Sequence, residues 1–108
     1  MDDQVFQKRA DTELESLYRK LLRASDEADF EADFNAGALA VEFDDPPGKF
    51  VISPNSPVRQ IWVSAHSKSF KLDWNDERNT FVLPETGETL AELVGSAISR
   101  QLSTEIEL

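Results

Sequence analysis

Across residues 1–25 apolar side chains recur at spacings of three and four: Phe6, Ala10, Leu14, Leu17, Leu21 and Ala24. That period predicts one long amphipathic helix with a single apolar stripe. Asp2 and Asp3 suit the positive end of its dipole, and Arg19, Lys20 and Arg23 the negative end. From residue 29 the period changes to alternation. In "DFEADF", Phe30, Ala32 and Phe34 share one face while Asp29, Glu31 and Asp33 share the other.

"NAG" turns the chain into "ALAVEF", with Leu39, Val41 and Phe43 facing inward. After the turn signal "DDPPG", "KFVIS" is a third strand with Phe50 and Ile52 on a common face. The stretch "PVRQIWVSA", residues 57–65, is predicted as the fourth strand, and "SFKLDW" and "TFVL" as the fifth and sixth. Helical spacing returns at Leu90, Leu93, Val94, Ala97, Ile98, Gln101 and Leu102, and Thr89 with Glu92 forms a capping box in front of it. Short strands joined by tight turns pair antiparallel. Flanked by two helices, they predict one α+β domain over residues 1–108, a two-layer sandwich with both helices on the same sheet face.

Composition excludes several chemistries. With no cysteine there is no disulfide, thiolate nucleophile or Cys-ligated metal. The only histidine, His66, follows the fourth strand with no Ser or Asp at triad spacing, and reads as a surface residue. Gly37, Gly48 and Gly87 are isolated turn glycines rather than a phosphate loop, and Gly95 is read as permitting a close helix approach. The first residues, "MDDQVFQKRA", lack signal-peptide or transit-peptide character, and no apolar run reaches membrane-spanning length, so a soluble intracellular protein is expected. A net charge of −10 argues against nucleic acid or an anionic membrane as partner and for a cation or a basic protein surface.

The acidity is uneven. Between Arg23 and Lys49 there is no basic residue, whereas Asp26, Glu27, Asp29, Glu31, Asp33, Glu42, Asp44 and Asp45 all fall there. Alternation places Asp29, Glu31 and Asp33 about 7 Å apart along one strand face. That is too wide for one closed cage but suits open, water-completed sites for hard cations such as Fe²⁺, Fe³⁺, Mn²⁺ or Ca²⁺, held weakly. The competing reading is a charged edge strand protected against aggregation. Trp62 poses a second question, because alternation puts it on the polar face with Gln60 and Ser64. It serves there either as cross-strand cover for Gln60 or Lys71, or as a partner anchor on the sheet face the helices leave free.

Taken together, "DFEADFNAGALAVEF", "FVISPNSPVRQIWVSA", "KLDW" and "ETGETLAELVGSAISRQL" resemble the frataxin family, including its bacterial form, from about residue 10 to residue 108. The element Pro57, Gln60, Ile61, Trp62 is the most specific part of the likeness. The resemblance implies five to seven antiparallel strands between the helices and a role in iron-sulfur cluster assembly. It further implies weak iron binding without an organic cofactor, and binding to the complex of cysteine desulfurase and scaffold protein, whose sulfur transfer is modulated. A monomer that can oligomerise under iron load belongs to the same expectation, and the lack of a presequence favours the bacterial cytoplasm over the mature form of a mitochondrial matrix protein.

Carried over residue by residue, the metal ridge would comprise Asp11, Glu15, Asp26, Glu27, Asp29, Glu31 and Asp33. The partner face would comprise Gln60 and Trp62, with Arg59, Ser64 and Lys71 beside them. The chain departs from the family where Arg19, Lys20 and Arg23 interrupt the acidic run of the first helix, with Arg19 spaced to pair with Glu15. It departs again where Val58 replaces an asparagine seen in some members and where "HSKS" lacks the usual glycine. Leu102, Ile106 and Leu108 match a C-terminal extension that covers the groove between the helices. Two other functions fit the same residues: an acidic module that binds the desulfurase with incidental metal binding, and a weak ferroxidase.

Overall fold

The computed structural model describes all 108 residues. Helix α1 (Asp3–Ser25) is followed by strands β1 (Glu31–Asn35), β2 (Ala38–Asp44), β3 (Pro47–Asn55), β4 (Gln60–Ala65), β5 (Lys68–Asn75) and β6 (Thr80–Val82), and then by helix α2 (Leu90–Leu102). The strands form one antiparallel sheet in chain order, β1 to β6. No helix is long and apolar enough to cross a membrane.

Each element forms for a local reason. Asp2 caps α1, its side chain accepting the Val5 N–H at 2.8 Å, and the stripe Phe6, Ala10, Leu14, Leu17 and Leu21 is buried as the period requires. Residues Ala36 and Gly37 both have positive φ, the geometry of a two-residue hairpin turn that locks Asn35 opposite Ala38. Thr89 and Glu92 form the full capping box at the start of α2.

The inner sheet face, including Leu39, Val41, Phe50, Ile52, Ile61, Val63 and Leu72, joins the helix stripes in one core. Phe6 of α1 meets Phe81 edge-on at 5.9 Å, and Tyr18 meets Phe34 at 5.6 Å. α2 lies beside α1 on the same layer, with Leu90 and Ala91 across from Leu17 and Lys20. No buried polar side-chain atom lacks a partner.

Four details differ from the sequence reading. β4 begins at Gln60, because Ser56–Val58 is a 3₁₀ turn and Arg59 takes a left-handed φ of 57°; Pro57 has no N–H to give a ladder. Asp29 lies in the bend before β1, with the Phe30 N–H bonded to the Ala28 carbonyl. His66 is half-buried rather than a surface residue: its Nε2–H donates to the Ala97 carbonyl at 3.0 Å and its ring packs on Phe50, tying the β4–β5 turn to α2. Finally, Gly95 admits the C-terminal tail and not the other helix, since a Cβ there would stand 3.4 Å from the Ile106 carbonyl. Ser99 Oγ fixes that tail, accepting the Ile106 N–H at 2.9 Å, so Ile106 and Leu108 do pack on the core.

The capping box generates a stability prediction. Hydrogen bonds from the Thr89 backbone and side chain hold the Glu92 carboxyl below its usual range, helped by Arg78. A carboxyl depressed in the folded state stabilises above its unfolded pKa, and that contribution disappears as pH falls through the lowered folded value. Thr89→Ala removes the hydroxyl that accepts the Glu92 N–H and should cost about 1 kcal/mol in urea unfolding. Glu92→Ala, which removes the carboxylate that the Thr89 N–H donates to, should destabilise at neutral pH by an amount that shrinks as the solution is acidified below the ordinary carboxylate range.

Candidate functional site

Two surfaces carry the sequence-predicted residues. The first is an acidic flank. Asp11, Glu15, Tyr18 and Leu22 recur at spacings of three and four on α1, and Tyr18 contacts Phe34 of β1, so this side of the helix runs along the sheet edge. Asp26, Glu27, Asp29, Glu31 and Asp33 continue the line through the turn and along β1, all exposed. Asp11 accepts a hydrogen bond from Gln7 Nε2 at 2.9 Å.

β2 adds two acids that the sequence analysis left outside the site. Glu31 stands directly opposite Glu42 in the hairpin register, a placement that brings facing Cβ atoms to about 5 Å. Glu42 and Asp44 join Asp29 and Glu31 around an open groove of about 490 Å³ floored by Leu22 and Ala28. The two-residue turn at Ala36 and Gly37 was the signal available: it fixes the register and hence the Glu31–Glu42 pairing. Of these carboxylates only Glu42 meets a cation, Lys49 at 3.7 Å, with both side chains more than half exposed, so the pair screens little.

Carboxylate oxygens are the donors hard cations prefer. Nowhere, however, do three Asp, Glu or His side chains converge as a set that would hold one ion. The flank is a line of separate acids. Arg19 makes no ion pair with Glu15; the three ion pairs of the protein are Lys49–Glu42, Arg59–Asp3 and Arg78–Glu92. Lys20 and Arg23 point away from β1, into a groove shared with Glu107 and Leu108. That groove also includes Glu27, so Lys20 and Arg23 border the ridge at its turn while Arg19 interrupts it on the helix.

The second surface is the uncovered sheet face. Trp62 is half-buried there and held by two neighbours, Gln60 and Lys71. Its Nε1–H donates to Gln60 Oε1 at 2.9 Å, and Gln60 Nε2 in turn donates to Asp73 Oδ1 at 2.9 Å. Lys71 Nζ sits 4.9 Å from the ring centroid, a cation–π contact. Ser64 is exposed one row away, between Val51 and Ser69. Arg59 is set apart: its guanidinium pairs with Asp3 at 2.8 Å and bonds the Ser56 and Met1 carbonyls, fastening the 3₁₀ turn to the start of α1.

Fold and surface together define a class of protein: a small α+β sandwich that presents one acidic edge and one flat face centred on a tryptophan. The frataxin-like domain profile matches residues 1–104, and the chain belongs to the frataxin family. The iron-sulfur cluster assembly protein CyaY of Ralstonia nicotianae is 34% identical over 103 residues, covering 92% of this chain and 87% of its own. The protein of the same name from Thioalkalivibrio sulfidiphilus is 28% identical over 108 residues, covering 100% of both chains. Among solved structures, a frataxin from Psychromonas ingrahamii matches the fold with a TM-score of 0.78 at 24% identity, over 99% of this chain and 97% of that one.

The geometry of the tryptophan face sets a test of its own. Because Trp62 points away from the core, Trp62→Ala should cost about 1 kcal/mol or less, the scale of one cross-strand contact. Phe81→Ala, which empties a fully buried site, should cost about 3–5 kcal/mol. Urea unfolding of the two variants compares them directly.

Proposed function

We propose that this protein is an iron-binding regulator of iron-sulfur cluster assembly, acting on the complex of cysteine desulfurase and scaffold protein in the bacterial cytoplasm. The relatives named above as cluster assembly proteins support the pathway. The observation that carries the mechanism is the pairing of two non-overlapping surfaces on one rigid sheet. Asp29, Glu31, Glu42 and Asp44 surround an open groove at the acidic edge. Trp62, locked by Gln60, Asp73 and Lys71, offers a large preorganised side chain on the free face.

In this reading the iron is cargo. Exposed monodentate carboxylates bind it weakly and release it readily, which suits delivery or sensing rather than storage. The tryptophan face meets the assembly complex, and what it does to sulfur transfer follows from that contact. The absence of a converging three-ligand set favours a second reading: the acidic flank engages a basic surface of the desulfurase, and metal binding is incidental.

Sulfide production by the cognate desulfurase and scaffold, measured with and without this protein and Fe²⁺, tests both. The first reading expects the effect of the protein to depend on Fe²⁺; an equal effect in chelator, weakened by salt, selects the second. An unchanged rate under every condition would overturn both. For the surfaces individually, Fe²⁺ should perturb residues 26–33 and Glu42 and leave Trp62 unmoved. Replacing Asp29, Glu31 and Asp33 by their amides should abolish that perturbation and raise thermal stability by relieving like-charge repulsion. Trp62→Ala should spare iron binding and weaken binding to the complex by about tenfold or more, the scale of a tryptophan anchor.

A further inference from the structure

The remaining charge on α1 is as sharply sorted as the acidic flank. At about 100° per residue, Lys8, Arg9, Arg19, Lys20 and Arg23 fall within an arc of about 120°, extending for about 22 Å along the helix. No carboxylate of α1 shares that arc. None of the five cations is in an ion pair, since the protein's three ion pairs use Lys49, Arg59 and Arg78. In a chain of net charge −10, five uncompensated cations on one helix face form a distinct positive stripe.

Its two ends are concave. Near the N-terminus, Arg9 lies 4.2 Å over the Trp74 ring and its Nη1 is 3.3 Å from Met1 Sδ. These neutral partners hold the guanidinium in place without cancelling its charge. Beside it a groove of about 380 Å³ has Val5 and Trp74 as its apolar wall and Lys8, Arg9 and Glu13 on its rim, the Glu13 carboxylate being engaged by the Thr80 hydroxyl. At the other end, Lys20 and Arg23 line a groove of about 470 Å³ with Glu27 and with Glu107 and Leu108 of the C-terminal tail.

We propose that this basic face of α1 is a docking surface for an acidic protein segment, a run of Asp and Glu carrying an apolar side chain that seats against Val5 and Trp74. Charge complementarity selects the sign of the partner. Width selects its kind. The stripe is only one helix face wide, about 10 Å, with Asp11 and Glu15 bordering it on one side and Glu13 of α1 and Glu107 of the tail on the other. A narrow peptide fits between those acids, whereas a nucleic-acid duplex, charged all around its circumference, would be driven against them. The stripe touches the acidic flank only at Glu27, is separate from the tryptophan face, and does not rest on iron binding.

The test uses the full chain in chelator, so failure of iron binding cannot masquerade as failure of the stripe. The probe is a synthetic glutamate-rich peptide ending in leucine. Amide shifts confined to residues 5–23 and to Trp74 are expected, with affinity falling about tenfold or more between low and physiological salt. The combined Lys8→Gln, Arg19→Gln and Arg23→Gln variant should lose about tenfold in affinity or more while staying folded with a slightly lowered thermal midpoint, because these side chains form no internal ion pair and give up only the helix-end interaction of α1 and some charge balance. In a Trp62→Phe background Trp74 is the sole tryptophan, and its emission should shift on saturation. Shifts scattered over the surface, undiminished binding by the triple variant, unchanged Trp74 emission, or tighter binding of a duplex oligonucleotide to the same residues would overturn the proposal.

Discussion

Burial of one sheet face between six strands and two helices is the constraint from which the rest of the molecule follows. Leu39, Val41, Ile52, Ile61, Val63 and Leu72 all project from the sheet toward Leu14, Leu17, Leu21, Leu90, Val94 and Ile98, and together they form one continuous apolar layer. Strand alternation then dictates that Glu31, Glu42, Trp62, Ser64 and Lys71 point the other way. A one-residue slip in any strand would carry its acids or its tryptophan into the core. The outer surface is thus specified by the same pattern that specifies stability, and it needs no separate scaffold.

That dependence explains what could be read from the residues directly. The α1 stripe, the inward faces of β1 to β6 and the Thr89–Glu92 box rest on local periods and local hydrogen bonds, so they are visible without coordinates. The features that were not visible depend on encounters between distant segments. His66 meets Ala97 and Gly95 meets Ile106 only after α2 and the tail are docked. Arg59 is drawn from the outer face by Asp3 at the far end of the chain, whereas Glu42 joins the acidic flank through a local hairpin register that the turn at Ala36 and Gly37 makes readable. Spacing alone also put Arg19 within reach of Glu15, yet both are exposed and no pair forms. For solvated side chains the Coulomb gain barely exceeds the entropy lost in holding them together.

Electrostatics and stability are set against each other in this architecture. The core contains no charged residue, and the few ion pairs lie at the surface. The acids of β1 and β2 accordingly repel one another with little internal compensation, Lys49 being the one cation at hand. Such an arrangement lowers the stability of the compact state. It is tolerated because the apolar layer beneath is fully packed, and it keeps the five-residue edge strand β1 from pairing with a second sheet. Any cation or basic surface that neutralises the flank gains the relief of this repulsion in addition to its own contacts.

The acidic edge and the tryptophan face are also parts of one plane. Asp33, Ala40, Val51, Ser64 and Ser69 form a continuous outward row across β1 to β5, and Trp62 sits in the row beside it. From β1 to β4 is three strand spacings, about 14 Å. A protein interface of ordinary size covers about 800 Å² on each partner, a patch about 30 Å across. One partner lying on the sheet therefore reaches the tryptophan and the acids at once. The residues between them, Ala40, Val51 and Ser64, are small or short and raise no barrier to that approach. On the function proposed above, a cation held at the edge would change the charge under the same partner that meets Trp62, a direct electrostatic route from metal to partner binding that needs no change of conformation.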